Sequence, residues 1–253
     1  MYIDTHCHLY KEYYNNVDDV IKESMNEGVC KFIVNGCDMK SNIEAIELSH
    51  KYDNVYAAIG FHPTELDDFN DEYFNWLEDN INDKKVVAIG EIGLDYHYDN
   101  TNKDKEIYVF KKQLDIAKKY NKPIIVHSRD AIGDTYNILK EYNLRGSIHS
   151  YSGSIEMARE FIKIGYMIGI GGVATFKNAK NIKEVVKDID LEYILLETDS
   201  PYLTPEPYRG TTNSPKYIPY IAKAISDIKG ININDVRRAT SDNANRLFDF
   251  SNK

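Results

Sequence analysis

The 253 residues are 42% hydrophobic and 28% charged, a balance that supports a globular core and excludes a disordered chain, and no apolar run approaches the roughly 20 residues that cross a bilayer. A surplus of 40 acidic over 31 basic side chains leaves a formal charge of -9, which excludes a protein that coats polyanions by bulk charge. Cys7, Cys30 and Cys37, odd in number and without CxxC spacing, exclude a disulfide framework and a zinc knuckle.

Met1 leads directly into Tyr2, Ile3 and Asp4 with no basic or apolar leader, so a cytoplasmic location and no membrane partner are expected. Tyr2 to Asp4 predicts a first strand, and Asp18 to Glu27 a helix stopped by Gly28. A second strand follows at Cys30 to Val34, a helix at Asn42 to Tyr52, and a third strand at Val55 to Ile59. Asn70 starts a helix over Asp71 to Asn80, ahead of a fourth strand at Val86 to Ile89 and a helix at Lys103 to Tyr120. The fifth strand, Pro123 to Val126, precedes a helix at Ala131 to Glu141; the sixth, Ser147 to Ile148, precedes one at Ile155 to Ile164, bounded by Ser154 and Gly165. Tyr166 to Ile170 and Tyr193 to Leu196 complete the strands around a helix at Asn181 to Lys187. Two last helical patterns, Lys216 to Ile228 and Ile233 to Phe248, are expected to close an outer ring.

Strand and helix alternating without a break imply a parallel sheet, and eight units in this length imply a single TIM-type (β/α)8 barrel. A distorted seven-strand barrel or an open doubly wound sheet is the alternative. No linker, repeat or low-complexity tract divides the chain, so residues 1–253 are expected to form one domain.

Chemistry-bearing residues cluster just after the strands, where barrel enzymes place their catalytic groups. His6 and His8 follow the first strand, His62 the third, His127 the fifth and His149 the sixth, with Glu91 after the fourth and Asp199 after the eighth. The two-residue spacing of His6 and His8 puts both rings on one face of a strand and turns Cys7 away. Glu91 sits between Gly90 and Gly93, which permit a bulge or close backbone approach; alone it reads equally as half of a buried ion pair. In company with five histidines ligation is favoured, because gathering so many imidazoles and carboxylates without a cation leaves costly unpaired groups. A carboxylate can also bridge two cations, which an imidazole cannot. Glu197 shares a face with Asp199 and reads as a support for a ligand or a partner for an internal base, not as a ligand itself. His50 and His97 fall outside the pattern.

Six stretches resemble the TatD family of metal-dependent deoxyribonucleases: Asp4-Thr5-His6-Cys7-His8, Gly60-Phe61-His62-Pro63, Gly90-Glu91-Ile92-Gly93-Leu94-Asp95-Tyr96, Val126-His127-Ser128-Arg129, His149-Ser150-Tyr151-Ser152-Gly153 and Glu197-Thr198-Asp199-Ser200-Pro201-Tyr202-Leu203. A seventh, Pro205-Glu206-Pro207-Tyr208-Arg209-Gly210 with Asn213 and Pro215, is similar to the family's loop after the last strand. Ser150 departs from the Cys common in relatives and is expected to point away from the site. The resemblance implies two divalent ions, with His6, His8, Glu91 and Asp199 around one and Glu91, His127 and His149 around the other. Their oxygen and imidazole donors suit Mg, Mn, Zn or Fe. It further implies a DNA substrate, single-stranded or with frayed ends, degraded from 3′ to 5′.

On this reading Asp199 orients a metal-activated water and takes its proton, while Arg129 and Arg209 reach non-bridging phosphate oxygens. His62 is a candidate general acid or phosphate donor, or simply the cap of a turn before Pro63; Arg129 could instead pair with Asp130. Tyr202 and Tyr208 are candidate stacking surfaces for unpaired bases, and Tyr96 and Tyr151 are expected to pack. Two rival functions share the pattern: an amidohydrolase-like enzyme acting on a lactone, a phosphotriester or an aminoacyl-tRNA ester, and a non-catalytic barrel that binds metal or a partner.

Overall fold

The structure is a computed structural model and describes residues 1–97 and 102–251. Eight strands form one sheet in chain order, every pair parallel: β1 (Tyr2–Cys7), β2 (Val29–Asn35), β3 (Val55–Ile59), β4 (Val86–Asp95), β5 (Ile124–Arg129), β6 (Gly146–Ile148), β7 (Tyr166–Ile170) and β8 (Ile194–Leu196). β8 returns to β1 through the Cys7–Ser200 bridge, with His8 N–H donating to Ser200 O at 2.8 Å and Asp199 N–H to His6 O at 2.9 Å. The buried carboxylate of Asp4 reinforces this seam by accepting from Thr198 N and Oγ1 at 3.0 and 2.6 Å. The result is the (β/α)8 barrel that the alternation implies.

Helices α1 (Val17–Asn26), α2 (Met39–Lys51), α3 (Glu72–Asn80), α4 (Lys103–Tyr120), α5 (Ile132–Leu139), α6 (Ile155–Lys163) and α7 (Lys180–Asp188) fill the crossovers, and α8 (Ile218–Lys229) and α9 (Ile233–Leu247) complete the chain. Local chemistry sets their ends. Ser154 accepts from Met157 N at the start of α6, and Gly165 takes φ +97° just past its end, a conformation glycine adopts without steric cost. α2 begins three residues before the expected Asn42 because Asp38 and Ser41 cap one another reciprocally.

The strands are buried on both faces, as a parallel barrel requires. Ile3, Ile33, Ala58, Val87, Ile125, Met167 and Leu195 come from seven different strands yet form one apolar cluster, which can only be the barrel interior. Ala244, Leu247 and Phe248 join it. The end of α9 therefore plugs the barrel floor, beyond the outer-ring role expected for it, because its last turn is too apolar to leave in water.

Candidate active site

Three of the strands bearing site residues run past the apolar segments that announce them: β1 reaches Cys7 and contains His6, β5 reaches Arg129 and contains His127, and β4 runs furthest. β4 extends to Asp95, so Glu91 lies inside it, at a register shift between Ile89 and Ile92 where Glu91 N–H donates to Gly36 O at 2.9 Å. Gly93 makes this possible. It holds φ +148°, and a Cβ there would stand 1.9 Å from His127 O. The bulge re-aims the strand, and Glu91 emerges as the centre of a cleft of about 1090 Å³ at the C-terminal mouth of the barrel.

Five imidazoles surround this one buried carboxylate. Oε2 lies 3.2 Å from His6 Nε2 and 3.7 Å from His8 Nε2; Oε1 lies 3.0 Å from both His127 Nδ1 and His149 Nε2 and 3.3 Å from His62 Nε2. Asp199 closes the first group, its Oδ1 3.6 Å from His6 Nε2 and 3.5 Å from His8 Nε2. Asp199 holds φ +54°, an uncommon conformation for a residue other than glycine and one typical of functional loops. Oε2 of Glu91 thus faces His6 and His8, and Oε1 faces His62, His127 and His149.

Hydrogen bonds on the far side of two of the rings place their protons. His8 Nδ1 faces Asn35 O at 3.0 Å and His127 Nε2 faces Asp95 Oδ2 at 3.0 Å. A carbonyl or carboxylate only accepts, so both nitrogens carry hydrogen, and the opposite nitrogens turn lone pairs toward Glu91 and Asp199. Acceptor facing acceptor at 3.0 to 3.7 Å is stable only with a proton or a cation between them. His6 and His8 repeat the conflict, their Nε2 atoms 3.2 Å apart, and buried His6 Nδ1 has no partner among the described residues. Divalent cations resolve all of these contacts at once, and the donors present fit them. Three groups within this cluster have ligand atoms close enough to share an ion: His6, His8 and Glu91; His6, His149 and Asp199; and His62, Glu91 and His127.

His62 differs from the others in its proton. Its Nδ1 accepts from Thr64 N–H at 3.2 Å, capping the short 3-10 turn Pro63–Glu65, and lies 2.8 Å from the Thr64 hydroxyl, which can donate to the same nitrogen; with Nδ1 accepting, the hydrogen sits on Nε2, 3.3 Å from Glu91 Oε1. The ring therefore caps a turn with one nitrogen and offers a donor to the cleft with the other. Although it stands within ligand distance of Glu91 and His127, a nitrogen that already holds hydrogen is a poor metal ligand.

Electrostatics follow the geometry. Burial works to raise the Glu91 carboxyl, but His149, His62 and His6 hold it well below the ordinary carboxylate range. Asp199 is likewise lowered against burial, by His8, His149 and His6. Burial opposes charge on His8 and His127, yet Asp199 and Glu91 raise the former, and Asp95 and Glu91 the latter. Burial, then the neighbouring rings, lower His6 and His62. Glu197 stands 3.5 Å from His149 Nδ1, too far for a good hydrogen bond but placed to favour hydrogen on that nitrogen, and it also accepts from Ser150 N–H.

The remaining expected residues divide. Arg129 ends β5 and lines the cleft, while the Asp130 carboxylate bonds His97 Nδ1 at 2.8 Å. Tyr202 lines the cleft, half exposed. Tyr208 and Arg209 are not among the lining residues: Tyr208 stacks on Tyr217 with centroids 4.6 Å apart and bonds Tyr220, and the Arg209 guanidinium lies 4.3 Å over the Phe176 ring. Ser150, expected to face away, borders the cleft because its φ of +44° turns the chain there. Cys7 does turn inward to the core, donating to Ile33 O.

Sequence reasoning missed Asp95, which orients His127, and Cys37, whose thiol lies 3.8 Å from Glu91 Oε2. Asp95 stood in plain view four residues after Glu91, on the same face of the strand. Burial, then Glu91, raise the Cys37 thiol well above its usual value.

Known proteins resemble this chain over nearly its whole length. A family model described as "TatD related DNase" matches residues 3–249. The uncharacterized metal-dependent hydrolase YabD of Bacillus subtilis is 43% identical over 98% of this chain and 99% of its own length; YcfH of Escherichia coli, of the same description, is 33% identical over 97% and 95%. Among solved structures, the TatD homologue YJJV of E. coli superposes with a TM-score of 0.94 at 30% identity, over 98% of this chain and 97% of that one. A TatD family hydrolase from Entamoeba histolytica gives 0.84 at 25% identity, over 99% and 98%.

Proposed function

We propose that this chain, which belongs to the TatD family of metal-dependent hydrolases, cleaves phosphodiester bonds of DNA with water, and that two divalent ions would be held by the cluster around Glu91. The observation that carries the reading is the split of that carboxylate, Oε2 toward His6 and His8 and Oε1 toward His127 and His149. His6, His8, Glu91 and Asp199 would hold one ion, and Glu91, His127 and His149 the other. Ions bound there supply a water of lowered pKa and offset the charge that builds on the phosphate oxygens.

The chain's own groups do the rest. Asp199 is kept ionised by its histidine neighbours, so at neutral pH its free oxygen orients the attacking water and accepts its proton. His62 presents Nε2–H to the same space. A neutral imidazole is a weak acid, so this proton suits a hydrogen bond to a non-bridging phosphate oxygen better than transfer to the leaving group. Arg129, at the rim, adds a charge-assisted donor to the substrate. Tyr202 offers an exposed ring to an unpaired base, favouring single strands or frayed ends. Tyr208 and Arg209 have no such position and are not assigned to the substrate.

End-labelled single-stranded DNA incubated with Mg, Mn or Zn tests the proposal, with lactone and aminoacyl-ester panels beside it. DNA should be the substrate, and Glu91→Ala should lower the rate at least about 100-fold, since it removes a donor common to both ion positions. A mutant as active as the parent contradicts the bridging role; turnover of an ester panel with no action on DNA contradicts the substrate.

A further inference from the structure

The loop after β8 is tied together by one side chain that touches neither the cleft nor the histidines. Asn213 is fully buried, and every polar atom of it has a partner. Its Nδ2 donates to Thr198 O at 2.8 Å and to Tyr202 O at 2.5 Å, while Oδ1 accepts from Ser214 N–H at 2.8 Å. Its backbone N–H donates to Pro201 O at 3.0 Å, and its carbonyl accepts from the Tyr14 hydroxyl at 2.7 Å. A primary amide carries two hydrogens, so this one nitrogen joins the two ends of the segment Thr198 to Tyr202 and has nothing left over.

Asp199 lies inside the segment closed in this way. Its N–H donates to His6 O at 2.9 Å, and its carbonyl accepts from Tyr202 N–H at 2.9 Å. Its φ of +54°, like the +56° of Leu203 just beyond the segment, is costly for a residue other than glycine and persists only where the surroundings over-determine it. The amide supplies that determination. Thr198 is itself fully buried, and a buried carbonyl deprived of its donor is unfavourable. Without the amide, two carbonyl oxygens would also face each other across the gap it leaves. The segment would open to relieve both penalties and carry Asp199 with it. Tyr14 belongs to the connection between β1 and α1, so the same residue links the loop that follows His8 to the one that bears Asp199.

We infer that Asn213 is a positioning residue: by closing the segment Thr198 to Tyr202, its amide holds the Asp199 carboxylate against His6 Nε2 and His8 Nε2, 3.6 and 3.5 Å away. This rests on the proposed assignment of Asp199 to one of the two ions. None of the bonds of Asn213 reaches β5 or β6, so the position of His127 and His149 is independent of the clamp. In the stretch that runs from Pro205 to Pro215, it is Asn213 rather than Tyr208 or Arg209 that acts on the site, and it acts through Asp199.

Asn213→Asp tests this in the full chain, because it keeps the size of the side chain and an acceptor for Ser214 N–H but replaces both donor hydrogens with an oxygen. Asn213→Ser is a second, smaller replacement with a single donor hydrogen. Tyr14→Phe is the control: it removes a hydrogen bond from the same residue and leaves the amide in place. Chelator competition well below the Tm should show one of two ions bound about 10- to 100-fold more weakly in Asn213→Asp and the other held as in the parent. At saturating metal, kcat on single-stranded DNA should fall at least about tenfold, and Tyr14→Phe should match the parent in both ion affinities. Asn213 variants that bind both ions as the parent does overturn the inference. Equal weakening of both ions, the same selective loss in Tyr14→Phe, or failure of both Asn213 variants to fold also overturns it, since each would make the amide a support of the fold as a whole. Selective loss of one ion in a protein whose parent does not cut DNA contradicts the phosphodiesterase reading and leaves the inference standing; a parent that binds fewer than two ions contradicts both.

Discussion

Which nitrogen of each ring carries hydrogen decides what the cluster around Glu91 can do. Asn35 O and Asp95 settle the question for His8 and His127, and Thr64 N–H settles it in the opposite sense for His62. Asp95→Ala should consequently weaken metal binding about 10- to 100-fold while leaving the ligand atoms themselves in place; chelator competition measures it, and unchanged affinity would remove Asp95 from the account. The same protons set the pH dependence. His8 and His127 hold raised pKa values in the metal-free fold, so protons occupy the ligand positions as pH falls and must be displaced by metal. Affinity should improve at least about tenfold from pH 6 to pH 8, and a flat profile would contradict this assignment. The residues of the cluster were legible in the sequence because each comes at the end of an apolar run. Their tautomers were not, since two of the three deciding partners are backbone atoms, Asn35 O and Thr64 N–H, which no residue type announces.

At the scale of elements, β4 matters most. Its bulge turns Glu91 into the mouth, and Gly93 lets the strand lie against His127. Gly93→Ala combines a strained φ with a Cβ driven into a carbonyl oxygen, so it should cost about 3 kcal/mol and lower Tm by about 6–12 °C. A Tm within a degree of the parent would show that the strand relaxes without loss. The strands were readable from alternation and β-branched runs, and their order followed from the connections. The ends of β1, β4 and β5 were not, because polar residues such as His6, Glu91, His127 and Arg129 broke the apolar signal while the strands continued through them. Nor could periodicity say that α9 would reach the barrel floor, where Leu247 and Phe248 pack by tertiary contact alone.

The whole molecule is an acidic barrel with its working groups gathered at one end, and none of its described helices is long and apolar enough to cross a membrane. Such a molecule grips a polyanion only locally. Arg129 and Lys180 line the cleft, and if both meet phosphates, binding of single-stranded DNA should fall with salt on a log-log slope of about -1.4, near 0.7 per cation neutralised. A slope beyond about -5 would reveal a basic surface elsewhere and undo the confinement of DNA to the cleft. The family and barrel were evident from motifs spread along the chain. The residues that line the cleft were brought together only when loops distant in sequence were placed side by side.

The central claim is that both oxygens of Glu91 are engaged by separate cations. Anomalous difference density from crystals of the Mn- or Zn-loaded protein addresses it directly. Two peaks are predicted, one between Glu91 Oε2 and the His6, His8 and Asp199 side chains, the other between Oε1 and His127 and His149; a single peak away from Glu91, or none, would contradict it.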